Sequence, residues 1–288
     1  MDFVQVDVFA ENAYQGNALA VFPDGGSLTR EQMQSIAREM NLSESTFVTS
    51  VARDSYDVRI FTPTSELPFA GHPTIGTAWV LRHKGSLTAD RAIQRSPGGE
   101  TSLTASGDTW SFRRQGSSEP DLHETSPELV GKIARALGLD LSDIGLEARE
   151  MGRPGRLMPA YADAGLRQLL VPLTDTESLG RAQPNAALLS DLDPFGAYCF
   201  TATGAGMLQA RGFWPGLGII EDPATGSAAA SLGLYLAEHL GDIELRVRQG
   251  LEMGRPSLIQ LTATHGEVSV GGGCRLVLRG SLEALPKG

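Results

Sequence analysis

The sequence predicts an α+β fold built from two similar halves, each with strands around a central helix. A short element occurs twice, as residues 66–72 (Glu-Leu-Pro-Phe-Ala-Gly-His) and as residues 221–227 (Glu-Asp-Pro-Ala-Thr-Gly-Ser). Each copy leads into an apolar helical stretch that a glycine closes, Gly85 in the first and Gly241 in the second. Strand-like runs lie on both sides of each stretch, so we expect a duplicated domain whose two central helices are buried.

Length and composition fit a soluble globular protein of two domains. The chain has 288 residues, of which 41% are hydrophobic and 20% charged, and a chain of this length usually exceeds one domain. The net charge of −10 argues against nucleic acid or an anionic membrane as a partner, because both favour a basic surface. No stretch approaches the roughly 18 apolar residues of a membrane span, and no secretory signal is visible. We therefore expect a cytoplasmic protein.

The N-terminal half is predicted to open with two strands and a helix. Residues 3–9 alternate valine with polar residues, and residues 18–22 follow a glycine-asparagine turn, so both are expected as strands. Thr29 and Gln32 match a capping box. Apolar residues at helical spacing follow until Asn41, where we expect the helix to end.

A hairpin and a buried helix come next. Residues 46–51 and 56–61 are expected to pair across a short polar turn. Residues 73–84 are expected as the central helix of this half, because Pro73 lies in its first turn and Gly85 follows its end. Apolar residues cover most of its circumference, which is typical of a helix buried in a core.

A polar segment is predicted to separate the two halves. Residues 95–120 are rich in serine, glycine and charge, and we interpret residues 115–120 as the interdomain linker. We therefore expect an N-terminal half at residues 1–116 and a C-terminal half at residues 117–274, with residues 275–288 returning to the first half.

The C-terminal half is predicted to repeat the arrangement. Its central helix is expected at residues 227–240, and a helix that begins near Ser126 is closed by Gly138. The expected strands are residues 167–173, 197–203, 207–214, 245–247, 258–263 and 268–278.

Glu44 is the first candidate for chemistry. It lies between a predicted helix end and a predicted strand, where a carboxylate can point into a cleft and, when partly buried, serve as a general acid or base. Alternatively it is a solvated surface glutamate, and its local sequence alone favours that interpretation.

The repeated element supplies the other candidates. His72 either donates to a substrate carboxylate or shuttles a proton, or it only bonds nearby backbone. Asp222 either orients His72 or bonds to a substrate amine or hydroxyl, or it only stabilises a helix N-terminus. Gly71 and Gly226 either admit a ligand to the backbone or only form tight turns. Ser227 is an N-cap, an anion ligand or a nucleophile, and the absence of a Gly-x-Ser-x-Gly motif disfavours a hydrolase. Because helix N-termini attract anions, two of them would suit a small carboxylate.

Cofactor sites are not predicted. Cys199 and Cys274 form no Cys-x-x-Cys pair, and we expect both to be small buried side chains. The histidines show no metal-ligand spacing, and the glycines near residue 204 lack a full phosphate-binding pattern.

Four motifs resemble the PhzF-like phenazine-biosynthesis isomerase family, in the same order along the chain. They are residues 41–48 (Asn-Leu-Ser-Glu-Ser-Thr-Phe-Val), 61–73 around Glu-Leu-Pro-Phe-Ala-Gly-His-Pro, 221–228 (Glu-Asp-Pro-Ala-Thr-Gly-Ser-Ala) and 249–257 (Gln-Gly-Leu-Glu-Met-Gly-Arg-Pro-Ser). The resemblance implies the diaminopimelate epimerase-like fold, in which each half is a β-barrel-like sheet around a central helix and the site lies between the halves.

The resemblance also implies an activity, the cofactor-free isomerisation of trans-2,3-dihydro-3-hydroxyanthranilate on the way to phenazines, a step of antibiotic biosynthesis. It assigns proton transfer to Glu44, with His72 and Asp222 assisting, and no metal. We further expect a homodimer and a small carboxylate substrate, which would be bound by the following residues: Asn17, Ser43, Gly71, Gly226 and Ser227.

Two alternatives stay open at this point. One is isomerisation or epimerisation of another small amino or hydroxy acid, and the other is a carboxylate-binding protein without turnover. Related epimerases use two cysteine bases, and the matching positions here are Ala70 and Thr225, so two-thiol racemisation is disfavoured. The chain also departs from the family at Ala18, where a proline is common, which puts the rigidity of that loop in doubt.

Overall fold

A computed structural model of the protein describes residues 1–115, 126–192, 196–204 and 206–287. The chain divides into two units, residues 1–113 with 271–288, and residues 114–270. Most of the expected linker and the expected boundary after residue 116 lie outside the described residues, so that boundary stays a prediction.

The first unit contains mostly antiparallel strands and two long helices. Its strands are β1 (Asp2–Val8), β2 (Asn17–Phe22), β3 (Glu44–Val51), β4 (Ser55–Phe61), β5 (Glu66–Leu67), β6 (Arg91–Ser96), β7 (Gly99–Ser106) and β8 (Thr109–Gln115). Its helices are α1 (Arg30–Met40) and α2 (Gly71–His83), with a 3-10 turn at Gly25–Ser27.

The second unit contains four helices in its described residues, together with the remaining strands. The helices are α3 (Pro127–Leu137), α4 (Thr176–Arg181), α5 (Ala186–Ser190) and α6 (Gly226–Leu240), with 3-10 turns at Leu141–Asp143, Ala148–Met151 and Pro215–Leu217. The strands are β9 (Leu146–Glu147), β10 (Arg156–Leu157), β11 (Ala160–Asp163), β12 (Arg167–Pro172), β13 (Ala197–Gly204), β14 (Met207–Trp214), β15 (Ile219–Asp222), β16 (Ile243–Gln249), β17 (Ser257–Thr264) and β18 (Glu267–Ser281). The last strand, β18, ends in the first unit.

The same strand succession occurs in both units. In the first unit the order is β1-β2-β3-β4-β6-β7-β8-β18, and β1 also pairs with β18, so the strands close into a barrel. In the second unit the order is β11-β12-β13-β14-β16-β17-β18. The pairs β2–β3 and β4–β6 are parallel, as are their counterparts β12–β13 and β14–β16. The two halves are therefore structural repeats.

Each unit packs its strands against a buried central helix. Helix α2 contacts β1, β2 and β3, and α6 contacts β11, β12, β16 and β17. A Cβ atom added to Gly76 in α2 would lie 2.6 Å from Leu19 and 2.7 Å from Val8, so glycine permits this close approach. A Cβ atom added to Gly233 in α6 would lie similarly close to side chains of its own sheet. No helix in the described parts of the chain combines the length and apolar composition of a membrane-crossing segment.

The sequence pattern predicted no strand in residues 95–115, and the structure places strands there. Those residues continue β6 and form β7 and β8, each with one buried and one exposed face. Trp110 and Phe112 are fully buried and alternate with polar residues. Polar residues are common here because one face of these strands meets solvent.

Candidate active site

Glu44 is a buried carboxyl at the first position of β3. Helix α1 is capped at its C-terminus by Asn41, which takes a left-handed conformation with φ 50°. The chain changes direction there and enters β3, where Glu44 pairs with Leu19 of β2. Glu44 is 8% exposed. The interpretation of a solvated surface glutamate is therefore wrong, because the strand begins two residues earlier than its sequence pattern suggested and carries the carboxyl into the core.

His72 lies beside this carboxyl. It is the second residue of α2, and its Nε2 is 3.4 Å from Oε2 of Glu44. Burial lowers the pKa of His72 from 6.5 to about 3, so the imidazole is neutral near neutral pH and the contact is not an ion pair there. Nε2 makes no hydrogen bond to any described residue. The structure thus brings together two of the three predicted catalytic residues.

The other predicted first-half residues lie on neighbouring elements. Asn17 is buried at the start of β2, the strand beside β3. Ser43 is half-buried and directly precedes Glu44, and Gly71 is buried at the first position of α2. Their assignment to substrate binding stays a prediction.

The N-termini of the two central helices differ from those of the other described helices. In α1, α3, α4 and α5 a polar side chain accepts a hydrogen bond from the first-turn backbone: Thr29, Ser126, Asp175 and Asn185. In α2 and α6 the N-caps are Ala70 and Thr225, the N-cap side chain makes no capping hydrogen bond, and the first turn holds no acidic residue. The first N–H groups of these helices are suited to an anion, because neither the N-cap side chain nor an acidic residue of the first turn satisfies them.

Asp222 ends β15, and the turn after it leads into α6. The carboxyl is 7% exposed, and Oδ2 accepts a hydrogen bond from the Thr225 hydroxyl at 2.5 Å. Gly226 and Ser227 are the first two residues of α6. Ser227 is therefore not the N-cap, one of the three roles considered for it, because the helix begins one residue earlier than expected.

Gln249 is a residue whose role sequence reasoning missed. It is fully buried at the end of β16 and hydrogen-bonds to Asp222 and Thr225. The available signal was its place in the motif 249–257, which is similar to a family signature but carries no chemistry that sequence alone reveals.

The first glutamate of each repeated element also had no assigned role. Glu66 receives two hydrogen bonds from Arg59 of β4, at 2.7 and 2.8 Å. Glu221 receives two from Arg211 of β14, both at 2.9 Å. Each of these two-bond pairs, called here an arginine–glutamate fork, links the strand before the central helix to its neighbouring strand. The repeated glutamate thus stabilises the start of the strand-to-helix turn.

Neither cysteine resembles a reactive thiol. Cys199 and Cys274 are free and fully buried. Burial raises the pKa of Cys199 to about 12 and raises that of Cys274 as well. Among the described residues, no group of three or more His, Cys, Asp or Glu side chains is placed to hold a metal ion.

Comparison with known proteins identifies similar sequences over nearly the whole chain. A model of the PhzC-PhzF family, described as phenazine biosynthesis-like protein, matches residues 6–280. The chain is 36% identical over 265 residues to the trans-2,3-dihydro-3-hydroxyanthranilate isomerase of Pseudomonas fluorescens, covering 90% of this chain and 88% of that protein. It is also 36% identical over 272 residues to an uncharacterized isomerase of Pasteurella multocida, covering 93% of this chain and 89% of that protein.

A solved structure shows the same fold. The crystal structure of a PhzF-family phenazine biosynthesis protein from Bacillus anthracis superimposes with a TM-score of 0.85 over 99% of both chains, at 22% sequence identity. Together with the repeated strand succession, this likeness confirms the expected diaminopimelate epimerase-like fold of two similar halves.

Proposed function

This chain belongs to the PhzC-PhzF family of phenazine biosynthesis-like proteins and is a PhzF-like isomerase, and we propose that it isomerises trans-2,3-dihydro-3-hydroxyanthranilate. The reaction moves one proton between two carbons of the substrate ring. The similarity to an isomerase of that name covers most of both chains, which supports this substrate as the first to test.

The pairing of Glu44 with His72 is the observation that carries the proposal. In the proposed reaction the Glu44 carboxylate takes a proton from one ring carbon, and the electron pair of that C–H bond shifts through the conjugated system. The resulting carboxylic acid then returns the proton to a second carbon, so substrate and product have the same atoms and Glu44 ends as it began. A carboxyl shielded from water holds its proton between the two steps better than an exposed one.

His72 suits a supporting role in this scheme. Burial lowers its pKa to about 3, so it does not neutralise Glu44 with a positive charge, and Glu44 stays able to accept a proton. A neutral imidazole has one N–H donor and one acceptor nitrogen. We assign it to hydrogen bonding with the Glu44 carboxyl or with the substrate.

The substrate carboxylate is assigned to the uncapped helix ends. Their backbone N–H groups, at Gly71 in α2 and at Gly226 and Ser227 in α6, are the sequence-predicted binding groups. The absence of a capping bond from the N-cap side chains and of acidic first-turn residues supports the assignment. Asp222 is assigned to a polar group of the substrate.

Incubation of the purified protein with synthetic trans-2,3-dihydro-3-hydroxyanthranilate tests the function. We expect substrate loss and product formation, followed by chromatography and mass spectrometry, at a rate proportional to enzyme concentration. With deuterium at the donor carbon, part of the label should reappear at the acceptor carbon, in an amount set by how fast protonated Glu44 exchanges with water. Binding of the substrate without turnover would instead indicate a carboxylate-binding protein.

A second candidate is isomerisation of another small amino or hydroxy acid. It is favoured by the equally similar relative from Pasteurella multocida, whose name states an isomerase without a substrate. Turnover of such an acid, with none of the dihydro-hydroxyanthranilate, would replace the proposed substrate. Inversion or α-deuteration of diaminopimelate or proline in D₂O would point to epimerase chemistry.

A further inference from the structure

The side chain of Gln249 uses its full hydrogen-bonding capacity within the second unit. Its Oε1 accepts from the Tyr198 hydroxyl at 3.0 Å and from the backbone N–H of Thr225 at 3.1 Å. Its Nε2 donates to the carbonyl of Asp222 at 2.7 Å and to the hydroxyl of Thr225 at 3.0 Å. A carboxamide has two acceptor positions and two donor hydrogens, and all four are engaged here.

These hydrogen bonds determine the orientation of the Gln249 amide and the donor-to-acceptor direction of the network. A backbone N–H can only donate and a backbone carbonyl can only accept, so the Thr225 N–H and the Asp222 carbonyl determine which end of the Gln249 amide is the nitrogen. Because Nε2 donates to the Thr225 hydroxyl, the hydrogen of that hydroxyl is directed to Oδ2 of Asp222. The hydrogen bonds therefore run one way, from amide to hydroxyl to carboxylate.

We propose that Gln249 is a positioning residue, which orients the Asp222 carboxylate through the Thr225 hydroxyl. The proposal rests on the proposed function, in which Asp222 contacts the substrate. Thr225, which stands where related epimerases have a cysteine base, then has a different role, because it donates its hydrogen to a carboxylate rather than removing one from a substrate.

The local chain path supports the proposal. Gly250 has φ +74°, and a Cβ there would lie 2.7 Å from the Pro223 carbonyl oxygen. Glycine after Gln249 thus lets β16 end directly against the turn that holds Asp222. The Ser257 hydroxyl donates to the backbone carbonyl of Gln249 at 3.1 Å. Gly250 and Ser257, at the two ends of the motif 249–257, therefore both help to hold Gln249 in place.

Three substitutions separate orientation from packing. Gln249→Glu keeps the shape but removes both donor hydrogens, so the Thr225 hydroxyl is drawn to the introduced carboxylate and away from Asp222. Thr225→Val removes the hydroxyl at nearly constant volume. Thr225→Ser keeps the hydroxyl and is the conservative rescue.

Gln94 offers a matched control in the first unit. It is fully buried, accepts from the Tyr56 hydroxyl at 3.0 Å and donates to the Thr74 hydroxyl at 2.9 Å. The Thr74 hydroxyl, however, donates to the backbone carbonyl of Ala70 and not to a carboxylate. Gln94→Glu therefore disturbs a similar buried network without the link to Asp222.

The test combines steady-state kinetics on trans-2,3-dihydro-3-hydroxyanthranilate with crystal structures of the variants. We expect kcat/KM to fall on the order of 10²-fold in Gln249→Glu and Thr225→Val, as misplacement of a site group can cost. Thr225→Ser should keep most of the activity, and Gln94→Glu should lose less than Gln249→Glu. The Asp222 side chain should be turned or multiply placed in the two impaired variants and in its original position in Thr225→Ser.

An Asp222 side chain that keeps its position in both Gln249→Glu and Thr225→Val would overturn the proposal. So would a Thr225→Ser variant as impaired as Thr225→Val, or a Gln94→Glu variant as impaired as Gln249→Glu. If the unmodified protein does not turn over this substrate, the proposed function fails, and the crystal structures still decide the role of Gln249.

Discussion

Nε2 of His72 lies 3.4 Å from Oε2 of Glu44, and both side chains are buried in the first unit. The two residues come from different elements, the start of β3 and the first turn of α2. Since burial lowers the pKa of His72 to about 3, the histidine lies beside Glu44 as a neutral imidazole at neutral pH.

The buried histidine should make the protein sensitive to acid. In the unfolded chain His72 takes up a proton below its ordinary pKa of about 6.5, whereas in the folded protein it does so only near pH 3. Its contribution to stability is therefore complete above about pH 6.5 and falls as the pH decreases, by about 1.4 kcal/mol per pH unit within that window. Urea unfolding of His72→Gln at several pH values should show a shallower dependence than the unmodified protein.

The unmodified protein and His72→Gln differ in one titratable side chain, so the difference between their slopes isolates the contribution of His72. Equal slopes for His72→Gln and the unmodified protein would contradict the buried, neutral state of His72.

Substitution of Gly226 should weaken the binding of a carboxylate ligand. A valine side chain would block the approach of an anion to the first N–H groups of α6, where charge-assisted hydrogen bonds are each worth about 1.5–3 kcal/mol. Calorimetric titration of Gly226→Val with 3-hydroxyanthranilate should show affinity reduced by roughly 10- to 100-fold.

Gly131 in α3 is a suitable comparison for that titration. Apart from its chain neighbours and its own helix backbone, a Cβ atom there would have, among the described residues, the Arg135 guanidinium within 4 Å, at 3.6 Å. Gly131→Val therefore introduces the same helix-disfavouring residue away from the predicted site. An unchanged affinity in a folded Gly226→Val variant would limit Gly226 to forming the turn.

The two arginine–glutamate forks should differ in their contribution to stability. Arg211 is 9% exposed and also donates to the carbonyls of Leu179 and Ala182, so Arg211→Met leaves buried groups unpaired and should cost about 3–5 kcal/mol. Arg59 is 29% exposed, and Arg59→Met should cost about 1 kcal/mol or less, since Arg30 still pairs with Glu66. Free energies of unfolding in urea measure both, and equal costs would contradict the difference in burial.

The cysteines should be inert in the folded protein. Both are fully buried and burial raises both pKa values, which suppresses the thiolate that reacts with alkylating agents. Iodoacetamide should leave activity intact, and a colorimetric thiol reagent should detect two thiols only after unfolding. Rapid inactivation of the folded protein would contradict this prediction and would indicate a thiol-dependent reaction, as in the related epimerases.

The sequence predicted the repeat and its two buried helices well. Residues 66–72 and 221–227 lead into α2 and α6 as expected, with helix starts one or two residues earlier. Local patterns suffice for these features because apolar periodicity and glycine or proline at the helix ends reflect each helix's own surroundings.

The site was less predictable because it depends on contacts between separated segments. The burial of Glu44 follows from its strand joining β2 and from α2 packing behind it, and no local pattern encodes either. The same holds for Gln249, whose partners Asp222 and Thr225 lie far along the chain. Strands β6 to β8 were missed for a different reason: their exposed faces carry the serine and charge that otherwise indicate a loop.

The measurement that most directly tests the central claim is single-turnover kinetics of Glu44→Gln on trans-2,3-dihydro-3-hydroxyanthranilate. The amide keeps the size and much of the hydrogen bonding of Glu44 but cannot accept and return a proton, whereas Glu39→Gln on the exposed face of α1 changes a carboxylate without touching the predicted site. We expect the rate of Glu44→Gln to fall by at least ~10²–10⁴, the range for loss of a general acid/base group, with substrate affinity little changed and with Glu39→Gln fully active. A folded Glu44→Gln variant that binds substrate and retains most of its rate would contradict the assignment of Glu44 as the proton carrier.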